Sequence, residues 1–347
     1  MREGALPVTN LTDNTIYGEK IMKAVVYTEY GSPEVLQLKE IEKPTPKDNE
    51  VLVKIHATSV STGDVNLRNF VFIPNGFGLM ARLMIGLNKP KKHVIGLEFA
   101  GEVVEIGKSV TRFKVGDKVF GLDGKQMGSY AQYKTVAQDV GITTMPANMS
   151  YEDAVSIPNG ALTALTFLRN MGKVQKGQNV LIYGASGSVG IAGVQIAKAL
   201  GAVVTGVCST KNIELVKSAG ADKVIDYTQQ DFTQNGELYD LILDTVAKAP
   251  FAISKKSLTP KGSYLAVAGG MREMRQMMGN ALRGGKKVMA GSSSESQDNL
   301  IFIKGLVEAG KFRPIVDRCY PLEEIAEAHR YVDSGRKRGN VVISVSH

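Results

Sequence analysis

Cysteine is scarce. The 347 residues carry only Cys208 and Cys319, too few for a disulfide framework and too far apart for a CxxC metal knuckle. A reducing compartment, the cytoplasm, suits such a chain best. Long hydrophobic runs are missing as well: none approaches the roughly 18 residues that a membrane-spanning helix needs, so no membrane partner is expected. The first 21 residues hold no continuous apolar stretch and read as a loose, disordered arm rather than a signal peptide. Charge of one sign does not dominate either. Forty-two Lys plus Arg face 34 Asp plus Glu, a net +8. The basic clusters Lys89-Lys91-Lys92, Lys286-Lys287 and Arg336-Lys337-Arg338 are short and separated, without aromatic interleaving or zinc-finger spacing. No nucleic-acid partner is therefore expected, and the excess reads as solvated surface with a mild attraction for anions.

What is present has the balance of an ordinary soluble protein, 43 % hydrophobic and 22 % charged. The length suits about two domains of about 150 residues, with cores large enough to need no staple. Residues 22–147 read as β-rich, with short strands at Val25–Tyr27, Val51–His56, Gly101–Ile106 and Lys118–Phe120 between Gly, Pro and Asp turns. Within them, Leu79, Met80, Leu83, Met84 and Leu87 recur at helical spacing and predict one amphipathic helix over Gly76–Lys92. Over residues 148–296 helices and strands alternate. Helices are predicted in Tyr151–Met171, at Ile191–Leu200 and at Ile213–Ala219; strands at Asn179–Tyr183, Ala202–Cys208, Lys223–Tyr227, Tyr239–Thr245, Tyr264–Ala268 and Lys287–Gly291. That rhythm predicts an α/β fold with a doubly wound parallel sheet covered on both faces. Residues 297–347 add helices at Asn299–Ala309 and Leu322–Ser334 and a closing strand at Asn340–Ser344.

The strand at Asn179–Tyr183 runs into Gly184-Ala185-Ser186-Gly187-Ser188-Val189-Gly190 and then a helix that stops at Gly201. Strand, glycine turn, helix and next strand fall in the register of a dinucleotide-binding Rossmann unit. Gly187 lets the backbone approach a pyrophosphate and Gly190 lets the helix pack close to the strand, while Ser186, Ser188 and Val189 complete the anion-binding turn at the helix N-terminus. The end of the next strand reads Cys208-Ser209-Thr210-Lys211-Asn212, with no acid before Glu214. An acid there would hold the ribose hydroxyls of NAD, and at about 4 Å it would repel a 2′-phosphate by about 4 kcal/mol at a surface-like dielectric. Ser209 and Thr210 can donate to that phosphate and Lys211 can neutralise it, so NADPH is the expected cofactor.

Several motifs then follow one another in a familiar order: Gly96-Leu97-Glu98-Phe99-Ala100-Gly101-Glu102-Val103, Phe113-Lys114-Val115-Gly116-Asp117-Lys118-Val119, Gly128-Ser129-Tyr130-Ala131 and the glycine turn. From about Met22 to the C-terminus the chain resembles the medium-chain dehydrogenase/reductases, and within them the zinc-free quinone oxidoreductase branch. The resemblance implies a GroES-like catalytic domain interrupted by the Rossmann domain and completed by residues 297–347. It implies that Tyr227 approaches the adenosine phosphate and that Asn340 reaches the nicotinamide or pyrophosphate. It also implies a homodimer joined through Lys287–Ser293. Zinc enzymes of the same superfamily use a Cys in the early loop and a His in a Gly-His-Glu motif. Here the loop reads Ser59-Val60-Ser61-Thr62-Gly63-Asp64, and Leu97 stands where the His would be. A catalytic zinc needs about three N, S or O ligands, so no metal is expected.

Without a Lewis acid, acceptors that take hydride readily are the better substrates: quinones, or alkenes conjugated to a carbonyl. The protein would orient such a small electrophile and stabilise the resulting oxyanion. Ser61, Asp64 and Tyr130 are the candidate catalytic side chains. Tyr130 reads equally as a packing residue, and Asp64 equally as the N-cap of a helix over Val65–Phe70. Phe70, Phe72, Phe77 and Leu79 are read as core, or as an apolar substrate wall. Cys208 is read as a buried thiol, or as a redox-sensitive one beside the phosphate loop. Two other functions fit the same residues: reduction of an enoyl thioester, or a non-catalytic NADPH-binding protein that regulates a partner or binds RNA.

Overall fold

The computed structural model describes residues 20–70, 83, 85–147, 149–267, 269–270, 273, 275–277 and 285–347. The chain opens with an antiparallel ribbon of β1 (Ile21–Val26) and β2 (Gln37–Glu42). β3 (Glu50–Val60) leads into helix α1 (Thr62–Asn69). β4 (Glu98–Ile106), β5 (Lys118–Leu122), β6 (Tyr133–Ala137) and β7 (Ile142–Thr144) then build an antiparallel sheet in which β3 pairs with both β4 and β6.

Helices α2 (Tyr151–Val155) and α3 (Pro158–Leu165), the latter continuing into a π-helical turn at Thr166–Met171, lead to a second sheet. Its strands are β8 (Asn179–Tyr183), β9 (Val203–Cys208), β10 (Lys223–Asp226), β11 (Tyr239–Asp244), β12 (Leu258–Ala266) and β13 (Lys287–Ala290). All six are parallel, in the order β10-β9-β8-β11-β12-β13. This is the doubly wound order, and its direction reverses between β8 and β11. Ligands of such sheets bind in the crevice beyond the carboxyl ends of the strands at that reversal. The continuous apolar runs Val180–Ile182 and Leu241–Leu243 form buried central strands because both sheet faces are covered. Helices α4 (Ser188–Ala199), α5 (Ile213–Ser218) and α6 (Phe251–Ser254) lie in the crossovers.

After α7 (Gln297–Glu308) the chain returns to the first sheet. β14 (Val316–Pro321), α8 (Ile325–Asp333) and β15 (Asn340–Ser344) follow, with β15 antiparallel to β3 and parallel to β14. One apolar core joins the two sheets: Ala57, Ala100 and Phe120 of the first pack in the same cluster as Leu162, Phe167, Val180 and Ile182 of the second unit.

Four local expectations need correction. Ile21, expected in the leader, already pairs with Glu42 in β1; residues 1–19 lie outside the described residues. The helix expected over Gly76–Lys92 falls largely outside them too, and from Gly86 (φ 142°) the backbone is in turns. The helix expected over Val65–Phe70 starts at Thr62, with Ser61 as its N-cap. Strands β2, β6, β7 and β14 were not foreseen: β2 and β14 are edge segments with no buried residue, β7 is only three residues long, and β6 was passed over although its burial alternates.

Candidate active site

The glycine turn is built from backbone. Gly184 has φ 80°, and a Cβ there would stand 2.6 Å from Thr245 Oγ1. A Cβ on Gly190 would come within 2.1 Å of the Gly184 carbonyl, so only glycine lets α4 lie this close to β8. Gly187 differs: a Cβ there would meet only the Gly184 carbonyl, at 3.7 Å. It is also the N-cap of α4 and offers no side-chain cap, so the helix's first N–H groups are left for a ligand. Val189 packs partly against the core. These features fit a dinucleotide diphosphate.

The C-terminal segment closes over this turn. Gly339 bridges to Gly187, its N–H donating to the Ser186 carbonyl at 2.9 Å. Ser188 Oγ donates to Asn340 Oδ1 at 2.6 Å. Asn340 thus stands over the start of α4.

At the adenosine end, Asn212 Nδ2 donates to Ser186 Oγ (3.0 Å) and Ser209 Oγ (3.3 Å), leaving the buried Asn212 Oδ1 without a protein partner. Lys211 is exposed. Tyr227, 54 % exposed, stacks on Tyr183 with ring centroids 6.4 Å apart. One finding cuts across the sequence argument. The parallel register sets Asp226 beside Cys208, and its carboxylate accepts from Thr210 Oγ1 at 2.5 Å and Thr228 Oγ1 at 2.7 Å. An acid therefore does reach this corner, from the neighbouring strand. The Thr210 hydrogen bond is the largest influence holding Asp226 below the usual carboxylate range. Cys208 is buried, and burial pushes its thiol up to about 11, which is the inert form.

On the opposite wall, Ser61 and Asp64 form a reciprocal capping box. Ser61 N–H and Oγ donate to Asp64 Oδ2 at 2.8 and 2.6 Å, and Asp64 N–H donates to Ser61 Oγ at 3.2 Å. Asp64 is thus the third helical residue rather than the N-cap. Burial pushes its carboxyl up to about 6, and Oδ1 has no partner. Tyr130 is fully buried. Its hydroxyl lies 3.1 Å from His329 Nε2 and its ring lies against Gly96, where a Cβ would stand 2.5 Å from the ring. Tyr130 thus packs inside the first unit with its hydroxyl turned to His329. Phe70 caps α1 in the left-handed region (φ 54°) with its ring 4.8 Å from Tyr30; Phe72, Phe77 and Leu79 lie outside the described residues.

Sequence reasoning missed two groups on the seam between the units. Glu98 is 1 % exposed. Its Oε2 accepts from Ser59 Oγ, and its Oε1 accepts from the backbone N–H of Asn159 at 2.7 Å, in the first turn of α3. Burial pushes the Glu98 carboxyl up to about 7. Lys337 extends back along the segment that covers the glycine turn, its ammonium donating to the Gly339 carbonyl at 2.9 Å. Burial pushes it down to about 8, with Glu98 and Asp317 acting against that shift. The signals were present but weighed otherwise: Glu98 only as part of a family motif, Lys337 only as surface charge. Among the described residues, no three His, Cys, Asp or Glu side chains converge as a metal site.

Comparison with known proteins agrees with this architecture. Residues 47–147 match the alcohol dehydrogenase GroES-like domain, and residues 219–343 match the zinc-binding dehydrogenase model. The chain is 30 % identical over 338 residues to the chloroplast envelope quinone oxidoreductase homolog of Arabidopsis thaliana, covering 93 % of this chain and 98 % of that protein. It is 31 % identical over 368 residues to the mitochondrial NAD(P)H oxidoreductase RTN4IP1 of Mus musculus, covering 94 % and 89 %. Among solved structures, the quinone oxidoreductase from Coxiella burnetii superposes with a TM-score of 0.83 at 29 % identity, covering 94 % of this chain and all of that one. These likenesses make the chain a nicotinamide-dependent oxidoreductase of the medium-chain dehydrogenase/reductase superfamily, in its quinone oxidoreductase-like branch.

Proposed function

We propose that the protein is a zinc-independent, NADPH-dependent reductase that passes hydride to a quinone or an α,β-unsaturated carbonyl. One observation carries this reading. The dinucleotide cradle faces a wall on which Leu97 stands where zinc relatives have a His, and on which the early loop has no Cys and its Ser61 is committed to a capping box. Such a wall does not suit a Lewis acid, so the acceptor must already be activated. The bound nicotinamide supplies the hydride. The chain's own part is positional. Ser61 and Asp64 fix the start of α1. Arg68, buried in α1, donates to Asp333 Oδ2 of α8 at 2.7 Å and to the Gly31 carbonyl at 3.0 Å, so the wall cannot drift. Asn340 and Gly339 hold the C-terminal segment over the cofactor cradle.

Support for NADPH over NADH rests on Ser209, Thr210 and Lys211 at the end of β9, with Asn212 supplying a neutral buried acceptor beside the ribose corner. Asp226 opposes it, and Lys211 must outweigh that charge. A homodimer through β13, the outer strand of the parallel sheet, completes the reading, and the two free thiols suit the cytoplasm. The test is oxidation of NADPH or NADH, followed by absorbance, against a small quinone and a conjugated enone, with and without a chelator. The expected result is chelator-insensitive turnover that is faster with NADPH. Activity abolished by chelator and restored by zinc overturns the metal-free reading; equal use of NADH overturns the phosphate argument.

A further inference from the structure

Helix α3 begins without a cap of its own. Its N-cap is Ile157, which offers no side-chain acceptor, and Pro158 at its first position has no N–H. Asn159 therefore carries the first backbone donor of the helix, and that donor is met from the other unit. Glu98 Oε1, on β4, accepts it at 2.7 Å. Glu98 is itself fixed by two residues of β3. Ser59 Oγ donates to its Oε2, and Thr58 Oγ1 donates to its carbonyl at 2.7 Å. This buried carboxyl does for α3 what an N-cap side chain does within a single segment. The next residue carries the hold to the cofactor cradle. A Cβ on Gly160 would stand 2.8 Å from both the carbonyl oxygen and the Oγ of Ser188, so the first turn of α3 lies directly on the first residue of α4. Ser188 is also the residue bonded to Asn340, and it opens the helix whose first N–H groups are left for a diphosphate.

We propose that Glu98 is a positioning residue for the dinucleotide: by capping α3 across the seam, it holds Gly160 against Ser188 and so keeps the N–H groups at the head of α4 in place for the diphosphate. Its action is indirect, through the first turn of α3. What the task needs is an acceptor rather than a charge. A protonated carboxyl still offers Oε1 to the Asn159 N–H, and its Oε2 can donate to Ser59. The inference rests on the nicotinamide dinucleotide site, and not on which dinucleotide fills it or on what accepts the hydride.

Fluorescence titration of the intact protein with NADPH and with NADH, well below the melting temperature of each variant, reads affinity in folded molecules. Glu98→Ala should bind both dinucleotides about tenfold more weakly. Glu98→Gln, whose amide can still accept from Asn159 and donate to Ser59, should stay within about twofold of wild type. Lost stability alone has a different signature. Val136→Ala, which opens a cavity in the separate core of the first sheet, should melt earlier and bind as wild type. Gly160→Ala, ordinarily a gain for a helix, should weaken both dinucleotides about fivefold, because its methyl presses on Ser188. The double variant should lose little more than Glu98→Ala alone, since an uncapped α3 can recede from Ser188. Wild-type affinity in Glu98→Ala or in Gly160→Ala overturns the proposal. So do losses that multiply independently in the double variant, and a Glu98→Gln as weak as Glu98→Ala. If Glu98→Ala does not fold, Gly160→Ala and Glu98→Gln decide. A wild type that binds neither dinucleotide overturns the cofactor site itself, a different result from any of these.

Discussion

The two walls of the cleft are made of different material. The cofactor wall is backbone and empty space: Gly187 leaves room, Gly190 removes a collision, and the head of α4 goes uncapped. The facing wall is side chains sunk out of water: Asp64, Arg68, Glu98, Tyr130 and His329 are all 1 % exposed or less. Four of the buried polar atoms without protein partners, on Asp64, Arg68, Ser129 and His329, belong to this side. A backbone site binds an anion through dipoles that are fixed by the fold. A buried side-chain wall instead stores ionisable groups at unusual protonation states, and its behaviour should depend on pH where that of the other does not.

The largest expected effect breaks the first wall. Gly190→Val forces a side chain onto the Gly184 carbonyl that a Cβ alone would approach to 2.1 Å. It should cost about 3 kcal/mol of stability and abolish dinucleotide binding. Gly187→Ala meets no such obstacle at φ −80°. It should cost about 1 kcal/mol or less in thermal or urea melts yet weaken cofactor affinity about tenfold, because its methyl stands where the diphosphate approaches. Equal destabilisation by both variants would remove the distinction between a packing glycine and a docking glycine.

The facing wall is tested by pH. Asp64 is raised from 3.8 to about 6 and Glu98 from 4.5 to about 7, so the folded state holds both protons more tightly than the unfolded chain does. The sign follows. Their contribution is fully present below about pH 4 and is lost as pH rises through about 6 and 7. Together they should remove roughly 5 kcal/mol between about pH 4.5 and 7.5. Burial that pushes the His329 imidazole down to about 3 makes stability rise over part of the same range. Urea melts therefore read the carboxyls as the difference between wild type and an amide variant. Asp64→Asn should remove the Asp64 part of that slope at a cost of about 1 kcal/mol or less, because the amide oxygen can still accept from the Ser61 N–H and hydroxyl. An unchanged slope in Asp64→Asn would mean that the carboxyl is not held protonated.

The same contrast explains what the sequence could disclose. Strand β8, the glycine turn and strand β15 were legible because each is set by a short local pattern: an apolar run, a glycine spacing, a closing strand. The facing wall was legible only in part. Ser61 and Asp64 sit three residues apart, so their partnership is local, though the roles within it came out reversed. Glu98, Ser59 and Asn159 come from three elements spread over about a hundred residues, and nothing in the linear text says that they meet. Asp226 was overlooked for a related reason. The search for an acid followed β9 forward, whereas the parallel register brings one in sideways from β10.

Asp226 gives the smallest and most discriminating effect. Its carboxylate accepts the Thr210 hydroxyl at 2.5 Å. It therefore competes for a donor that a 2′-phosphate needs and adds a like charge beside it. Water screens that charge, so removing it should change affinity by a small factor. Asp226→Asn should raise NADPH affinity about threefold at low salt, with the gain fading as salt increases, and leave NADH affinity unchanged. Lys211→Ala should move NADPH affinity the other way and likewise spare NADH. If Asp226→Asn instead weakens NADH, the carboxylate holds a ribose hydroxyl. The corner would then read a ribose rather than a phosphate, and the chain's preference would turn to NADH.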